Sequence, residues 1–579
     1  MRHTKIVATI GPASDKEAIL KDLMKAGLNV ARLNFSHGTH EEHGQRVSLI
    51  REIAGQLEQS VALMLDTKGP EIRIGKVPND KMELEEGQEI VLASGNSEGI
   101  PVTYKNLARD VSQGDKILLD DGLIGLEVLH TEADTVSCKV LNDGTLKSNK
   151  GVNVPGVLLE LPAITDKDVE DINFAIEHRL DFIAASFVRR AADVLEIRRI
   201  LESKKADIHI IAKIETQAAV NNIEAILKVS DGIMVARGDL GVEIPAEEVP
   251  LVQKEIIRKC NLVGKPVITA TQMLDSMISH PRPTRAEASD VANAILDGTD
   301  AIMLSGETAA GEYPVEAVST MHRIAQRAEQ AIKFKQNLQE SQVDSTRSVT
   351  EAISHASCTI SFDLGTAAII TPTESGSTPR MVAKYRPKAP IIAASPHSDV
   401  LRKLSLVWGV TGQEVPASDG TDDMINGAVT AALGKNLIQC GDMVVITAGL
   451  PVGVSGTTNL LKVHIVGEII AQGTGIGETV ITGTVKIAAS EEQAMADVKE
   501  GDILVAVGTY GDLVPAMKKA AAVITEEGGL TSHAAIVGLS LQLPVVVGVE
   551  QATTLLQNGD TITVDGRQGI IYRGLTKVL

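Results

Sequence analysis

The chain is poor in aromatic residues and in cysteine. Aromatic residues make up 2% of its 579 residues, so Val, Ile, Leu and Ala must build the core. This composition argues against proteins that stack nucleic-acid bases on aromatic side chains. The four cysteines lie far apart without metal-ligand spacing, and we expect buried, reduced thiols at Cys138, Cys260, Cys358 and Cys440.

Long apolar runs and an excess of basic residues are also missing. No run approaches the roughly 18 apolar residues of a membrane span, and the start, MRHTKIVATIG, has no apolar stretch suited to a signal peptide. The net charge of −20 disfavours DNA, RNA and anionic membranes as partners. We therefore expect a cytoplasmic protein in which any anionic substrate is held by locally concentrated Arg, Lys and metal.

Short apolar runs alternate with helix-like segments up to about residue 330. There are eight such runs, and each has the composition of a buried parallel strand: 4–11, 28–35, 61–67, 181–186, 208–213, 232–237, 266–271 and 301–305. Eight strand–helix units predict a (β/α)₈ TIM barrel. Polar residues stand at or just past the carboxyl end of seven runs, where barrel enzymes keep their chemistry.

The pattern predicts four domains. Residues 1–69 and 166–340 form the barrel, and the turn-rich insertion at 70–165 forms a small β lid domain after the third strand. Strand–helix alternation resumes in 341–473, which predicts an α/β domain. A Gly-rich link then leads to an extra domain at 474–579.

Two strand ends carry the most informative charges. Lys213 and Glu215 are two positions apart, so an extended chain points them the same way, and Asp239 follows the next strand. Because neighbouring strands lie about 4.8 Å apart, Glu215 and Asp239 are predicted to share a hard cation such as Mg²⁺. A lysine beside that cation suits chemistry on a small anion, such as a phosphate.

A second group of polar residues follows the second and third strands. Asn, Ser, Asp and Thr oxygens there form a set suited to a hard, weakly charged cation, and two arginines can grip phosphate in a bidentate fork. The residues are Arg32, Asn34, Ser36, Asp66, Thr67 and Arg73. A plain rim salt bridge between Arg32 and Asp66 is the alternative.

Eight motifs follow one another along the chain: ARLNFSHG (31–38), LDTKGPEIR (65–73), NKGVNVPG (149–156), AKIET (212–216), VARGDLG (235–241), ATQMLDSM (270–277), PTRAEASDVANA (283–294) and MLSGETAAG (303–311). In these motifs and in their order the chain resembles pyruvate kinase, and the resemblance covers residues 1 to about 470. It implies transfer of the phosphoryl group of phosphoenolpyruvate to ADP, giving pyruvate and ATP in glycolysis. It also implies a homotetramer with a mobile lid domain and a C-terminal effector domain.

The resemblance assigns roles to matching positions. Lys213 and Arg32 stabilise the phosphoryl group in transfer, Glu215 and Asp239 hold Mg²⁺, and the Gly238 and Asp239 N–H groups receive the substrate carboxylate. Thr271 supports protonation of the enolate, with Ser305 and Glu307 in the relay. The K⁺ ligands are Asn34, Ser36, Asp66 and Thr67, with K⁺ dependence implied by Glu71, and Arg73 and Lys150 contact the nucleotide phosphates.

One departure from the family pattern lies after the metal ligand. The family usually has Asn and an acidic residue where this chain has Thr216 and Ala218. These positions are expected to support the metal ligand from behind, so the change bears on fine tuning more than on the chemistry.

Two C-terminal segments carry further candidate sites. Residues 371–385 form a strand, a Ser/Thr/Gly loop and a helix start, which predicts a phosphate cradle at Thr373, Ser375, Gly376, Ser377 and Thr378. The resemblance implies that a sugar phosphate or AMP binds there as an activator. Residues 526–548 resemble the swivelling phosphohistidine domain of phosphoenolpyruvate-utilising phosphotransferases, with His533 at the phosphate-carrying position. Because we find no nucleotide-grasping domain in the sequence, a packing or assembly role for this domain is the leading interpretation.

Three rival functions stay open from the sequence. One is a dikinase-like phosphotransferase that uses His533. Another is a Mg²⁺-dependent lyase of 2-oxo acids, which leaves Arg32, the K⁺ ligands and the lid unexplained. A phosphometabolite sensor is the weakest, because it needs no catalytic rim.

Overall fold

The computed structural model describes residues 2–95, 97–157, 159–340, 348–418, 420–451, 456–467 and 469–574. Two compact units divide the chain. The first contains residues up to His355 together with Thr373–Glu414, and the second contains Ala356–Pro372 together with the residues from Val415 onward.

The first unit begins with three strands and two helices of the barrel. They are β1 (Lys5–Thr9), α1 (Glu17–Ala26), β2 (Val30–Asn34), α2 (His40–Gln56) and β3 (Ala62–Asp66). Helix α2 starts at a capping box in which Thr39 and Glu42 satisfy each other's backbone N–H groups. Helix α1 ends at Gly27, whose φ of 116° suits glycine best.

The insertion after β3 is a β domain, as predicted. Its strands form a six-stranded sheet in the order β11-β7-β8-β9-β5-β6 and a two-stranded sheet of β10 and β4. The elements are β4 (Lys81–Leu84), β5 (Glu89–Ser94), β6 (Ile100–Val102), α3 (Leu107–Asp110), β7 (Lys116–Leu119), β8 (Ile124–Thr131), β9 (Thr135–Val140), β10 (Gly144–Lys147) and β11 (Val152–Asn153).

Five further strands complete the barrel. They are β12 (Phe182–Ala185), β13 (His209–Ile214), β14 (Gly232–Ala236), β15 (Val267–Ala270) and β16 (Ala301–Leu304). The helices that accompany and follow them are α4 (Asp166–Glu177), α5 (Ala191–Ser203), α6 (Gln217–Asn221), α7 (Ile223–Val229), α8 (Arg237–Glu243), α9 (Val249–Val263), α10 (Arg285–Leu296), α11 (Gly306–Ala309), α12 (Pro314–Glu329), α13 (Phe334–Glu340) and α14 (Val349–Leu364).

The eight strands close into a parallel barrel in the order β1-β16-β15-β14-β13-β12-β3-β2. All eight predicted runs are barrel strands, so the predicted TIM barrel is confirmed. Alternate residues of each strand point inward, where Val7, Met64 and Phe182 belong to one apolar cluster, and outward, where Ile6 and Leu63 pack under the helices. Both faces are buried, which is why each strand is a continuous apolar run in the sequence.

Strand β17 (Ala368–Pro372) belongs to the second unit, whereas the next segment belongs to the first. That segment comprises α15 (Ser377–Ala383), β18 (Ile391–Ser395), α16 (Ser398–Leu404) and β19 (Val410–Glu414). Buried ion pairs fix it to the amino-terminal ends of barrel strands, with Arg386 on Asp300 at 2.9 Å and Arg402 on Asp181 at 2.8 Å.

The second unit also contains α17 (Thr421–Gly434), β20 (Met443–Gly449) and β21 (Thr458–Ile465). Strand β20 pairs in parallel with β17 and antiparallel with β21. The extra C-terminal domain has an eight-stranded sheet in the order β22-β29-β28-β24-β25-β26-β27-β23. Its elements are β22 (Ile469–Gln472), β23 (Thr474–Ile476), β24 (Val480–Ile487), α18 (Glu491–Asp497), β25 (Ile503–Ala506), α19 (Val514–Met517), β26 (Ala522–Thr525), α20 (His533–Leu541), β27 (Val545–Val547), α21 (Ala552–Leu555), β28 (Thr561–Asp565) and β29 (Ile570–Arg573).

Two further observations concern the sequence predictions. Cys138, Cys260 and Cys358 are buried as expected, but Cys440 is exposed, because it lies in the loop before β20 and not in a strand or helix. Within the described ranges, no helix is long and apolar enough to cross a membrane. The predicted domain boundaries stay a prediction.

Candidate active site

Lys213 lies in β13 and points into the carboxyl-end rim of the barrel. Its ammonium lies 2.8 Å from Glu215 Oε1, 3.2 Å from Asp66 Oδ1 and 2.8 Å from Ser186 Oγ. Burial alone would lower the pKa of Lys213, but the carboxylates of Asp66 and Glu215 raise that pKa above its ordinary value. The ammonium therefore stays charged in a buried position.

Glu215 is a buried carboxylate with one incompletely used oxygen. Phe187 donates its backbone N–H to Oε2 at 2.5 Å. The buried Oε1 is ion-paired with Lys213, but within the described part of the chain no hydrogen-bond donor is aligned with it. Burial raises the pKa of Glu215 to about 7, and the nearby negative charge of Asp239 contributes to the increase.

Asp239 lies in the first turn of α8, one strand away from Glu215 around the barrel. Burial raises the pKa of Asp239, and the carboxylates of Asp121 and Glu71 add to that shift. No group of three or more His, Cys, Asp or Glu side chains among the described residues could hold a metal ion. A cation on Glu215 and Asp239 would thus take its other ligands from substrate and water. Oε1 of Glu215, which has no aligned hydrogen-bond donor among the described residues, fits that arrangement.

Arg32 and Asp66 form the salt bridge that the sequence left as an alternative. Arg32 Nε donates to Asp66 Oδ2 at 2.6 Å, and Arg32 Nη1 donates to Thr9 Oγ1 at 2.8 Å. Burial would raise the pKa of Asp66, but Arg32 and Lys213 hold that pKa below its ordinary value. Among the described residues, no hydrogen bond uses Nη2 of Arg32, so this nitrogen is available to a ligand.

The four predicted K⁺ ligands come from two neighbouring strand ends. Asn34 and Asp66 are direct partners in the register of β2 and β3. Asn34 Oδ1 accepts the backbone N–H of Ser36 at 3.1 Å, and Thr67 Oγ1 accepts that of Ser186 at 3.1 Å. Asn34 and Asp66 therefore lie side by side on neighbouring strands, whereas Ser36 is exposed in the following turn.

Thr271 follows β15 with a left-handed φ of 64°. The Thr271 hydroxyl accepts the Gly238 N–H at 2.8 Å, and its O–H donates to Ala270 O at 2.6 Å. The predicted proton-transfer group and the predicted carboxylate-binding N–H of Gly238 are therefore bonded to each other. Asp239 lies next to Gly238 in the same turn of α8.

The two predicted nucleotide-binding cations lie on the lid side of the rim, and each is paired with a carboxylate. Arg73 Nε donates to Glu71 Oε2 at 2.8 Å, and Lys150 Nζ lies 2.7 Å from Asp120 Oδ1. A cavity of about 330 Å³ opens between the lid and the barrel beside these pairs, with Glu71 and Asp239 in its wall. A small molecule can enter between the lid and the barrel here.

Two residues at this rim make contacts that the sequence does not predict. Ser186 directly follows β12, and its hydroxyl donates to Thr67 O at 2.6 Å and accepts from Lys213. No sequence signal predicts that the Phe187 N–H binds Glu215. Phe187 has a φ of 53°, and this backbone conformation depends on the tertiary fold.

Thr216 caps α6 through the Ala219 N–H, and Ala218 lines the cavity.

Comparison with known proteins decides the family. The family described as "Pyruvate kinase, barrel domain" matches residues 1–318, and "Pyruvate kinase, alpha/beta domain" matches residues 351–464. The chain is 59% identical to a pyruvate kinase of Geobacillus stearothermophilus over the full length of both chains. The chain belongs to the pyruvate kinase family.

Other pyruvate kinases align equally completely. Those of Bacillus licheniformis and Sporosarcina psychrophila are 57% and 53% identical, again over all of both chains. The family described as "PEP-utilising enzyme, mobile domain" matches residues 498–569. The full-length matches therefore include the extra C-terminal domain as well as the pyruvate kinase barrel.

The predicted effector loop of this pyruvate kinase relative lies between β17 and α15. Thr373 Oγ1 accepts the Gly376 N–H at 2.9 Å, and Gly376 has a φ of 75° at the start of α15. Nearby, Glu374 Oε2 lies 2.7 Å from His397 Nε2. The loop is thus folded back on itself, with Ser375, Ser377 and Thr378 following Thr373 in and beyond the turn.

His533 is the first residue of α20 in the C-terminal domain. Ser532 caps this helix through the Ala535 N–H, and His533 Nδ1 lies 3.0 Å from Thr509 Oγ1. Glu526 and Glu527 come just before the loop that leads to the helix. The ring is therefore oriented through Nδ1.

Proposed function

We propose that this protein transfers the phosphoryl group of phosphoenolpyruvate to ADP, forming pyruvate and ATP in the cytoplasm. The supporting observation is the buried, charged Lys213 ammonium at the barrel rim, between Asp66 and Glu215. It lies in a chain that is 59% identical over its full length to a pyruvate kinase.

Lys213 and Arg32 act on the moving phosphoryl group. Phosphoryl transfer depends mainly on positioning and on compensation of negative charge. The raised pKa of Lys213 keeps its charge, and Arg32 is oriented by Asp66 and Thr9 while Nη2 is left for a phosphoryl oxygen. A preorganised cation pair of this kind stabilises the transition state without having to reorganise.

Glu215 and Asp239 are the proposed ligands of Mg²⁺. When bound, Mg²⁺ acts as a Lewis acid on the carboxylate and enolate oxygens of the substrate. Both carboxyl groups have raised pKa values because burial disfavours their ionised forms. A bound divalent cation would stabilise those ionised forms.

Asn34, Ser36, Asp66 and Thr67 are the proposed ligands of K⁺, and Glu71 is the residue on which K⁺ dependence is proposed. Support comes from the adjacent positions of Asn34 and Asp66 on β2 and β3. Oxygen ligands of low total charge suit a hard monovalent cation better than a divalent one.

Arg73 and Lys150 are the proposed contacts to the phosphates of ADP. Their present carboxylate partners, Glu71 and Asp120, lie within the inserted segment 70–165, so nucleotide binding would exchange one set of anionic partners for another. Such an exchange couples nucleotide binding to the position of the lid.

Thr271 is proposed to support protonation of the enolate, and the Asp239 and Gly238 N–H groups are proposed to receive the substrate carboxylate. Because Thr271 accepts the Gly238 N–H, the carboxylate would replace the threonine oxygen at this donor. Ser305 and Glu307 would extend the relay. Glu307 is buried and accepts the Ser305 and Leu274 N–H groups, so its support for Thr271 is indirect.

One assay separates this proposal from its rivals. Purified protein is incubated with phosphoenolpyruvate, ADP and Mg²⁺, with and without K⁺, and pyruvate and ATP are measured together. We expect equal amounts of both products and strong K⁺ activation. Pyruvate without ATP would indicate a dikinase-like transfer through His533, with water or a carrier accepting the phosphate. If neither product forms and the protein instead turns over a 2-oxo acid, the lyase is indicated.

The loop at Thr373–Thr378 is the proposed effector site, with a sugar phosphate or AMP as activator of a homotetramer. Its hydroxyl-rich composition and tight turn support phosphate binding. The test is a phosphoenolpyruvate saturation curve with and without sugar phosphates and AMP. An activator should shift the curve to lower concentration, and a curve unchanged by every one of them would contradict this site.

For the C-terminal domain we propose a packing or assembly role, with phosphate carriage by His533 as the second candidate. The orientation of the ring by Thr509 favours the second candidate. Incubation with labelled phosphoenolpyruvate tests it, using His533→Ala as the control. Acid-labile label on the native chain alone would establish phosphate carriage.

A further inference from the structure

Two consecutive residues after β15 adopt a left-handed backbone conformation that residues other than glycine rarely adopt. Thr271 has a φ of 64° and Gln272 a φ of 55°. For a β-branched residue such as threonine this region is strained, and strained residues persist only where the surrounding structure holds them. The segment therefore needs an external support.

Arg237 supplies that support. Its Nε donates to Ala270 O at 3.2 Å, and its Nη2 donates to Thr271 O at 2.7 Å. Nη2 also lies 2.8 Å from Met273 Sδ. One nearly buried guanidinium, 11% exposed, thus holds the backbone on both sides of the Thr271 side chain.

Asp290 fixes the orientation of this guanidinium. It lies on α10, and its Oδ1 accepts from Arg237 Nη1 at 2.8 Å while its Oδ2 lies 2.7 Å from Nη2. A carboxylate that meets a guanidinium through both oxygens fixes the plane of the fork as well as its distance. Gln253 Oε1 adds a longer contact of 3.4 Å to Nη1.

The held segment places the Thr271 hydroxyl against the helix that carries Asp239. Arg237 is the first residue of α8, and the next residue, Gly238, donates its N–H to Thr271 Oγ1. Arg237 therefore joins the end of β14 to the segment after β15. Loss of the two-point contact between Arg237 and Asp290 would free the Thr271 hydroxyl to move relative to Asp239.

We infer that Arg237 and Asp290 are positioning residues that hold the Thr271 hydroxyl in place for proton transfer to and from the three-carbon substrate. The inference rests on the proposed function, because it assumes the role proposed for Thr271. Asp290 acts through Arg237, and Arg237 acts through the backbone of Ala270 and Thr271.

Exchange of the pyruvate methyl protons with solvent isolates this step. By microscopic reversibility, a group that protonates the enolate also assists its formation: a methyl C–H bond breaks, its electron pair forms the enolate double bond, and the proton passes to solvent. Exchange in D₂O with Mg²⁺ and K⁺ is followed by proton NMR. Asp290→Asn should slow it on the order of 10²-fold, the scale of a misplaced catalytic group. The KM for phosphoenolpyruvate should change less.

A second readout does not depend on activity. Amide hydrogen exchange, measured by mass spectrometry, should accelerate in peptides that cover residues 270–274 and Gly238, and it should stay unchanged in other barrel strands. Asp22→Asn is the matched control, because it makes the same change at an exposed residue of α1. That variant should leave both readouts at the native level.

Arg237→Lys repeats the test if Asp290→Asn does not fold, since it keeps the charge and loses the fork. Methyl exchange at the native rate, or unchanged amide exchange at 270–274, in a folded variant would overturn the inference. Failure of the native protein to form pyruvate would instead overturn the proposed function. The amide measurement would still test the support of the segment in that case.

Discussion

The Lys213 ammonium lies 3.2 Å from Asp66 Oδ1, although 147 residues separate the two in the chain. The second oxygen of the same carboxylate accepts from Arg32 at 2.6 Å. The buried Asp66 carboxylate therefore holds both of the cationic side chains, Lys213 and Arg32, that the proposed reaction needs. Without it, Arg32 would lose its buried carboxylate partner, and Lys213 would keep only Glu215.

Replacement of Lys213 by methionine should lower the turnover number by at least 10²–10³-fold, the scale of losing a charge-stabilising donor. Steady-state formation of pyruvate and ATP measures the effect. Lys81→Met is the control, because its side chain is exposed on the lid, and it should turn over normally. Near-native turnover of Lys213→Met would refute the assigned role.

The barrel was predictable because its strands are buried on both faces, so that segments such as 208–213 are continuous apolar runs. Lys213 and Glu215 were predictable as a pair because their spacing of two fixes a common side of an extended chain. The clamp of Arg237 on Thr271 was not predictable. It depends on a backbone conformation that only contacts between distant segments can hold.

Asp171 should control the K⁺ requirement. It lies 2.6 Å from His40 Nε2 and 2.7 Å from Lys167 Nζ, and Lys167 donates to Phe35 O at 2.9 Å. Phe35 stands between two of the proposed K⁺ ligands, so Asp171→Asn should loosen their turn. We expect the K⁺ concentration for half-activation to rise several-fold, as measured by K⁺ titration of the initial rate.

Asp207→Asn is the control for this variant, because Asp207 pairs with Lys403 at the opposite end of the barrel strands. Its K⁺ titration should match that of the native protein. An unchanged half-activation concentration in Asp171→Asn would show that the turn does not depend on this carboxylate.

Mg²⁺ activation should weaken as the pH falls below about 7. Burial raises the pKa of Glu215 to about 7, so a proton competes with the metal below that pH and the apparent affinity should fall about tenfold per pH unit. Above pH 7 the carboxylate is free of its proton and the affinity should level off. Mg²⁺ titrations between pH 6 and 8 measure the effect, and a constant activation midpoint would contradict it.

Lys5 should make stability depend on pH. Burial lowers the pKa of Lys5 to about 7, and Arg2 adds to the decrease, whereas in the unfolded chain this pKa is about 10.4. Between these values the unfolded state binds more protons, so stability should rise with pH above 7. The urea concentration at the unfolding midpoint should be higher at pH 9 than at pH 7, and Lys5→Met should reduce this difference.

The control is Lys16→Met, because Lys16 is exposed at the start of α1. It should keep the native dependence of the urea midpoint on pH. If Lys5→Met also keeps it, Lys5 does not titrate between these pH values.

The proposed reaction requires Glu215 and Asp239 to bind one divalent ion beside Lys213. Crystals soaked with Mn²⁺ and phosphoenolpyruvate test it through the anomalous signal of the metal. We expect one peak about 2.1 Å from an oxygen of each carboxylate, with the Lys213 ammonium facing the substrate phosphoryl group. A peak bound by only one of the two carboxylates, or a Lys213 side chain turned away from the peak, would refute this metal site.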